Sequence, residues 1–206
     1  MLQSIMHILK QKHIVLASGS PRRKELLDII DLQFDAFPAR FKHCFDARNF
    51  NTYAEFLETT ALQKVLDVKH QLLVTGLFPH ILIGAHTIVT LDGQILGKVF
   101  DVDQAYQMLT KLSGRTHTVY TGVVIKTWDK TVTFTDKTDI TFKELDDDQI
   151  LTYIASGEPL DMDGGYCIKG AGAAFVERVE GDYFNAVGLP LFRLCLVLYK
   201  MYNNCT

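Results

Sequence analysis

The stretch "THTVYTGVVIKTWDKTVTFTDKTDITF", residues 116–142, limits the fold more than any other part of the chain. Val and Thr dominate both halves, and a short turn at Asp129 and Lys130 parts them. β-Branched side chains suit a pleated surface, so the pattern predicts two strands, 116–128 and 131–142, paired antiparallel. Upstream the pattern differs. "IVLAS" (14–18) is a short apolar run, and "GSPRRKELLDII" follows it, with Pro21 placed to start a helix and Leu26, Leu27, Ile29 and Ile30 along its inner side. Early alternation of strand and helix, then an antiparallel pair, implies an α/β chain with a mixed, twisted sheet flanked by helices.

The remaining segments fit that class. "LQFDAF" (32–37) alternates as a second strand. Residues 49–72 carry Phe56, Leu57, Ala61, Val65 and Val68 at helical spacing, with Lys64 on the same stripe. "HILIGA" after Pro79 reads as a strand, and "TIVTLDGQILG" as a hairpin around Asp92–Gly93. Residues 101–114 have an Asp N-cap at 101 or 103 and Gly114 just past the end. A capped helix at 146–157, a glycine-rich loop at 157–172, a strand "AAFVERV" and a helix "LPLFRLCLVLYKMY" complete the chain. No linker divides it, so residues 1–206 are expected to form one domain, two-lobed about a cleft, with 1–12 as an N-terminal extension.

Bulk properties narrow the function. Hydrophobic residues make up 48% and charged residues 22%, which suits a globular chain rather than a disordered one. A net charge of −3 gives no reason to expect a nucleic-acid polymer as partner. Cys44, Cys167, Cys195 and Cys205 are scattered without a CxxC, so thiols in a reducing compartment are expected rather than a structural zinc site. The apolar run near the N-terminus is too short to span a bilayer, so no membrane partner is expected and the cytosol is the expected location.

Several residue groups suggest phosphate chemistry. In "SGSPRR" (18–23), Ser18 and Ser20 precede a helix start and Arg22 and Arg23 lie in its first turn. Backbone amides and guanidinium groups there suit an anion, while a capped helix with solvated arginines is the plainer alternative. Lys64 and Lys98 are either snorkelling lysines or, with the arginines, the cations around a triphosphate. The glycines of 156–172 and 181–190 mean either close backbone approach to a ligand or ordinary surface turns. His117 is expected to be structural or exposed, and Trp128 to be packing at a strand end.

"ASGSPRRKELL", "LIGAHTIVTLDGQILGK", "AYQMLTKLSGRTHTVYTGV", "YIASGEPLDMDGGYCIKG" and "GDYFNAVGLPL" together resemble, in order and spacing, the signature segments of the Maf (septum-formation) family, in its dTTP/UTP pyrophosphatase branch. The resemblance covers residues 14 to about 198. It implies an inosine triphosphate pyrophosphatase-like fold, with two lobes around a nucleotide cleft. It also implies hydrolysis of a pyrimidine nucleoside triphosphate to monophosphate and pyrophosphate, with a divalent cation, and a homodimer as a common assembly. By the same resemblance Ser18, Ser20, Arg22 and Arg23 would hold phosphate, Lys64 and Lys98 would join His86 as catalytic residues, and Thr87, with Arg22, would bear on substrate choice.

The match departs from the family at informative places. The family strand ends in GADT, whereas this chain reads Gly84–Ala85–His86–Thr87. A family carboxylate shortly after Pro38 falls on His43, with Asp46 as a substitute if the loop shifts. In the family segment DKAGGYGIQG the lysine becomes Met162 and the glutamine becomes Lys169, a substrate-binding candidate. The divalent cation, Mg²⁺ or Mn²⁺, would then meet His43, His86 and Asp161, and imidazole ligands suit Mn²⁺, Co²⁺ or Zn²⁺ better than Mg²⁺. Three readings follow: a catalytically impaired nucleotide-binding or interaction protein, a rebuilt site with His86 as base and Asp46, Glu58, Asp161 or Asp163 on the cation, or ordinary activity. A phosphatase of other small phosphorylated compounds is a further alternative.

Overall fold

The computed structural model describes residues 2–41 and 45–203. Strand β1 (Ile14–Leu16) pairs in parallel with β2 (Asp35–Ala36) and with β3 (Ile81–Leu91). Strand β4 (Gln94–Leu96) folds back antiparallel on β3. With β5 (Thr116–Lys126), β6 (Thr131–Phe142) and β7 (Val176–Gly181), the order is β2-β1-β3-β5-β6-β7, with β4 attached to β3. The expected mixed sheet is therefore present. The helices are α1 (Met6–Leu9), α2 (Pro21–Ile29), α3 (Tyr53–Val74), α4 (Val102–Leu112), α5 (Asp147–Ala155), α6 (Tyr183–Val187) and α7 (Leu191–Tyr202). Among the described residues, no helix is long and apolar enough to cross a membrane.

Local chemistry explains where expectation and structure part. The strand expected over 32–37 shrinks to Asp35–Ala36. Asp31 adopts φ 54° at the end of α2, and the Leu32 amide returns to the Leu27 carbonyl at 3.2 Å, so the front of that stretch closes a helix. Pro38 has no N–H to continue the ladder beyond Phe37. Strand β3 runs unbroken through His86, and its hairpin turns on Asp92 (φ 49°) and Gly93 (φ 73°), the paired positive φ of a tight β-hairpin. Residues Ala171–Phe175 form a 3₁₀ turn ahead of β7, which delays the last strand. Trp128 is not packed: it is 82% exposed, with the Lys69 ammonium 5.3 Å from its ring centre.

By compactness the chain divides into two units. The first runs to His86 and adds Thr121–Asp136 and the stretch from Gly188 onward; the second comprises Thr87–Tyr120 and Lys137–Val187. In the first, Leu2, Ile5, Met6 and Leu9 are buried, so the leading segment belongs to the core. Helix α3 starts at Thr52, whose hydroxyl accepts from the Glu55 amide at 3.1 Å, and buries Ala61, Val65, Val68 and Leu72 with Val15, Leu82 and Val124. Two glycines let it lie close. A Cβ on Gly84 would fall 2.4 Å from Val65 Cγ2 and 3.0 Å from the Ala61 carbonyl; one on Gly122 would fall 2.6 Å from Leu57 Cβ. Gly84→Ala should lower the urea-unfolding free energy by about 1–3 kcal/mol through overpacking. Gly97→Ala, where a Cβ meets nothing within 4 Å, should change it by less than about 0.5 kcal/mol.

In the second unit, α4 buries Ala105, Leu109 and Leu112 and is capped by the Asp101 carboxylate on the Gln104 amide at 2.8 Å. Helix α5 opens with a reciprocal cap between Asp146 and Gln149. These caps are the ones the sequence pattern predicts.

Candidate functional site

The first unit holds Ser18, Ser20, Arg22, Arg23, Lys64 and His86. Strand β1 delivers Ser18, which is 6% exposed, to the start of α2. The Ser18 Oγ accepts from the Ser20 amide and from Arg23 Nη1, each at 3.2 Å. Arg23 Nε donates to the Gly188 carbonyl at 2.9 Å. Ser18 and Arg23 thus brace the turn before α2. The Ser20 side chain makes no cap on α2, and Pro21 occupies the first turn of the helix.

Lys64 and His86 meet. The close seat of α3 on Gly84 brings Lys64 Nζ to 3.5 Å from His86 Nδ1. An ammonium only donates, so if this contact is a hydrogen bond, Nδ1 is its acceptor and Nε2 carries the ring proton. The Phe56 ring stands edge-on to the imidazole, with centres 5.7 Å apart. Both polar side chains are half-buried, which strengthens their electrostatics relative to bulk water.

The second unit holds Thr87, Lys98, Asp161 and Lys169. Thr87 is half-buried and Lys169 exposed. Lys98 Nζ donates to Asp161 Oδ1 at 2.8 Å. The glycine-rich loop is pinned rather than loose: the Asp161 amide reaches the Val99 carbonyl at 2.8 Å, the Gly164 amide reaches the Gly97 carbonyl at 3.1 Å, and Lys98 bridges to Asp163. Asp161 holds φ 61° and Gly164 and Gly165 hold φ 74° and 69°, conformations that the zipper onto 97–99 requires.

The described residues do not form a metal cage. Among the described residues, no three His, Cys, Asp or Glu side chains converge as ligands. Asp161 is taken by Lys98, and His86 turns Nδ1 to Lys64. The Asp46 carboxylate is clasped by Arg48, at 2.6 Å at the closest, and that hydrogen-bonded pairing holds it at about 2. Glu58 accepts from Thr133 and Thr135. His43 lies outside the described residues.

Sequence patterns missed two residues of the second unit. Glu158 sits inside the glycine-rich segment and binds backbone amides there, as does the hydroxyl of Tyr153. The one sequence cue is a glutamate between Gly157 and Pro159 in a loop whose glycines suit either close backbone approach to a ligand or surface turns. His117, expected to be structural or exposed, is structural: it is 1% exposed, and its Nε2 lies 2.7 Å from the Tyr166 hydroxyl.

The comparisons agree with this architecture. A family profile described as "Maf-like protein" matches residues 13–201. A protein named dTTP/UTP pyrophosphatase from Bacillus cereus strain G9842 is 45% identical over 183 residues, covering 89% of this chain and 92% of its own. One of that name from Bacillus cereus strain ATCC 10987 is 43% identical over 203 residues, covering 97% and 96%. Another, from Bacillus cytotoxicus, is 45% identical over 185 residues, covering 89% and 92%. Matches of that length and identity, on a chain with this sheet and these helices, place it in the Maf family.

Proposed function

We propose that this chain hydrolyses dTTP and UTP to the monophosphate and pyrophosphate. The reading is carried by relatives named dTTP/UTP pyrophosphatase, at 43–45% identity across nearly the whole chain. Such agreement favours catalysis over a role in binding alone. Hydrolysis of a phosphoanhydride needs an oriented water and neutralised phosphate oxygens, so fixed donors and cations supply most of what a protein can add.

The residues divide by what they can do. Ser18, Ser20, Arg22 and Arg23 are assigned to phosphate oxygens at the start of α2, with Thr87 and Lys169 as further substrate contacts. Lys64 and Lys98 are assigned to the charge that develops on the reacting phosphates. His86, with its proton on Nε2 while Nδ1 faces Lys64, is assigned as a neutral donor to a phosphate oxygen. A base role would need Nε2 bare, and the Lys64 contact favours the other tautomer. A divalent cation, implied by the resemblance, would be held mainly by the nucleotide's own phosphates and water, as Mg²⁺ commonly is. Free thiols at Cys167 and Cys195 support a cytoplasmic setting.

Initial rates test the reading. Purified chain with Mg²⁺ or Mn²⁺ should turn over dTTP and UTP faster than dATP or GTP; equal rates on purines would remove the pyrimidine assignment. Lys98 offers a second check. Its exposed ion pair with Asp161 competes with any incoming phosphate. Asp161→Asn tolerates the left-handed backbone and removes that competitor, so KM for UTP should fall by up to about fivefold, an effect that fades as salt is added.

A further inference from the structure

Glu158 follows α5 and Gly157 and makes contacts out of proportion to its place in a loop. Its Oε1 accepts from the Tyr153 hydroxyl at 2.7 Å and from the Gly172 amide at 3.0 Å. Its Oε2 accepts from the Ala171 amide at 2.9 Å. The Tyr153 oxygen in turn accepts from the Cys167 amide at 3.0 Å. One carboxylate thereby ties the last turn of α5 to both ends of the segment 167–172. The segment wraps it so closely that a Cβ on Gly170 would fall 2.3 Å from Glu158 Oε2, and one on Gly172 would fall 2.8 Å from the Tyr153 hydroxyl. Burial pushes the Glu158 carboxyl up, but the Gly172 and Ala171 amides and the Tyr153 hydroxyl outweigh it and hold the carboxyl below its ordinary value.

Lys169 sits in the middle of that hexapeptide, between buried Ile168 and Gly170. We propose that Glu158 is a positioning residue for Lys169, fixing the 167–172 turn so that the lysine ammonium is presented to the substrate's phosphates. This rests on the nucleotide pyrophosphatase reading given above. The physical reason is entropic as well as geometric. A lysine has a long, mobile stem, and a backbone free to move beneath it would add a second ordering cost on binding. Three donors converging on one carboxylate remove that freedom before substrate arrives. An apolar residue at 158 would leave the two amides and the tyrosine hydroxyl without their acceptor, and the turn would open to water.

A double-mutant cycle separates this role from a merely structural one. KM and kcat for UTP are measured for the wild type, Glu158→Gln, Lys169→Met and the double variant, with affinity for α,β-methylene-UTP measured by calorimetry on the same four proteins. Glu158→Gln should raise KM and Kd roughly tenfold, the scale of a lost charge-assisted hydrogen bond, with kcat within about twofold. Lys169→Met should raise them comparably, and the double variant should be no worse than Lys169→Met alone. Effects that multiply in the double variant overturn the proposal, as does a lowered melting temperature with KM and Kd unchanged. Tyr153→Phe guards against a misfolded Glu158→Gln. It keeps the ring against Phe175, with centres 5.0 Å apart, and should raise KM and Kd in the same direction by a smaller factor. If the wild type binds the analogue but hydrolyses no UTP, the pyrophosphatase reading fails while the Kd cycle still decides the role of Glu158. If it binds no analogue, both fail.

Discussion

Lys64→Met is expected to cost about a hundred- to a thousandfold in kcat/KM toward dTTP while leaving the fold intact. That range is the usual loss when one preorganised donor is removed from developing charge. Methionine keeps the helix propensity and most of the apolar stem, so α3 should hold its seat on Gly84. What disappears is a half-buried ammonium whose environment screens it less than water does. His86 also loses the donor 3.5 Å from its Nδ1, and with it the reason for its proton to stay on Nε2. The loss should therefore exceed that of a simple surface cation. Lys64→Arg should recover only part of it, because a planar fork cannot repeat a point charge at the same place. Steady-state kinetics with a thermal-unfolding control decide the matter; a loss below about tenfold would place Lys64 outside the chemistry.

The second large effect is on stability. His117 is buried against Phe142 and Tyr166, with ring centres 5.0 and 5.3 Å away. Burial pulls its pKa down from 6.5 to about 4, against a weaker opposing attraction from Asp139. Among the described residues its Nδ1 has no hydrogen-bond partner, so protonation would create a charge and leave a donor without an acceptor. The unfolded chain thus binds the proton more readily than the folded one. Stability from this group is complete above about pH 6.5 and drains away as pH falls toward about 4, to a total of about 3 kcal/mol. Urea midpoints taken near neutral pH and near pH 4 should show that loss in the wild type. His117→Gln, which cannot charge, should be less stable near neutrality and should lose about 3 kcal/mol less on acidification. Parallel pH dependence in the two proteins would contradict the assignment.

Much of the fold was legible because its signals are local. The β5–β6 hairpin, the Asp101 cap of α4 and the capping box of α5 each depend on residues within a few positions of one another. The shortened β2 was not legible, because Leu32 answers to the end of α2 rather than to its own alternation. Trp128 misled for a different reason: a large apolar ring at a strand end carries no sign of whether anything covers it.

The site was legible as a set of residue types and not as a set of partnerships. Lys98 and Asp161 were singled out separately, one for phosphate and one for metal, yet they pair with each other across 63 positions of sequence. Ser18 and Arg23 were both assigned to phosphate, and the structure spends part of each on bracing the turn before α2. Glu158 was invisible because two of its three partners are backbone amides, which every residue but proline has. In each case the deciding information is which donor lies near which acceptor, and spacing along a chain does not contain it.

The central claim is that this chain splits a pyrimidine triphosphate between its α- and β-phosphates. Phosphorus NMR of dTTP incubated with the wild-type protein and Mg²⁺ or Mn²⁺ tests it directly. The triphosphate signals should give way to those of dTMP and pyrophosphate in equal amounts. Formation of dTDP and orthophosphate, or a triphosphate left intact by a folded protein, would contradict it.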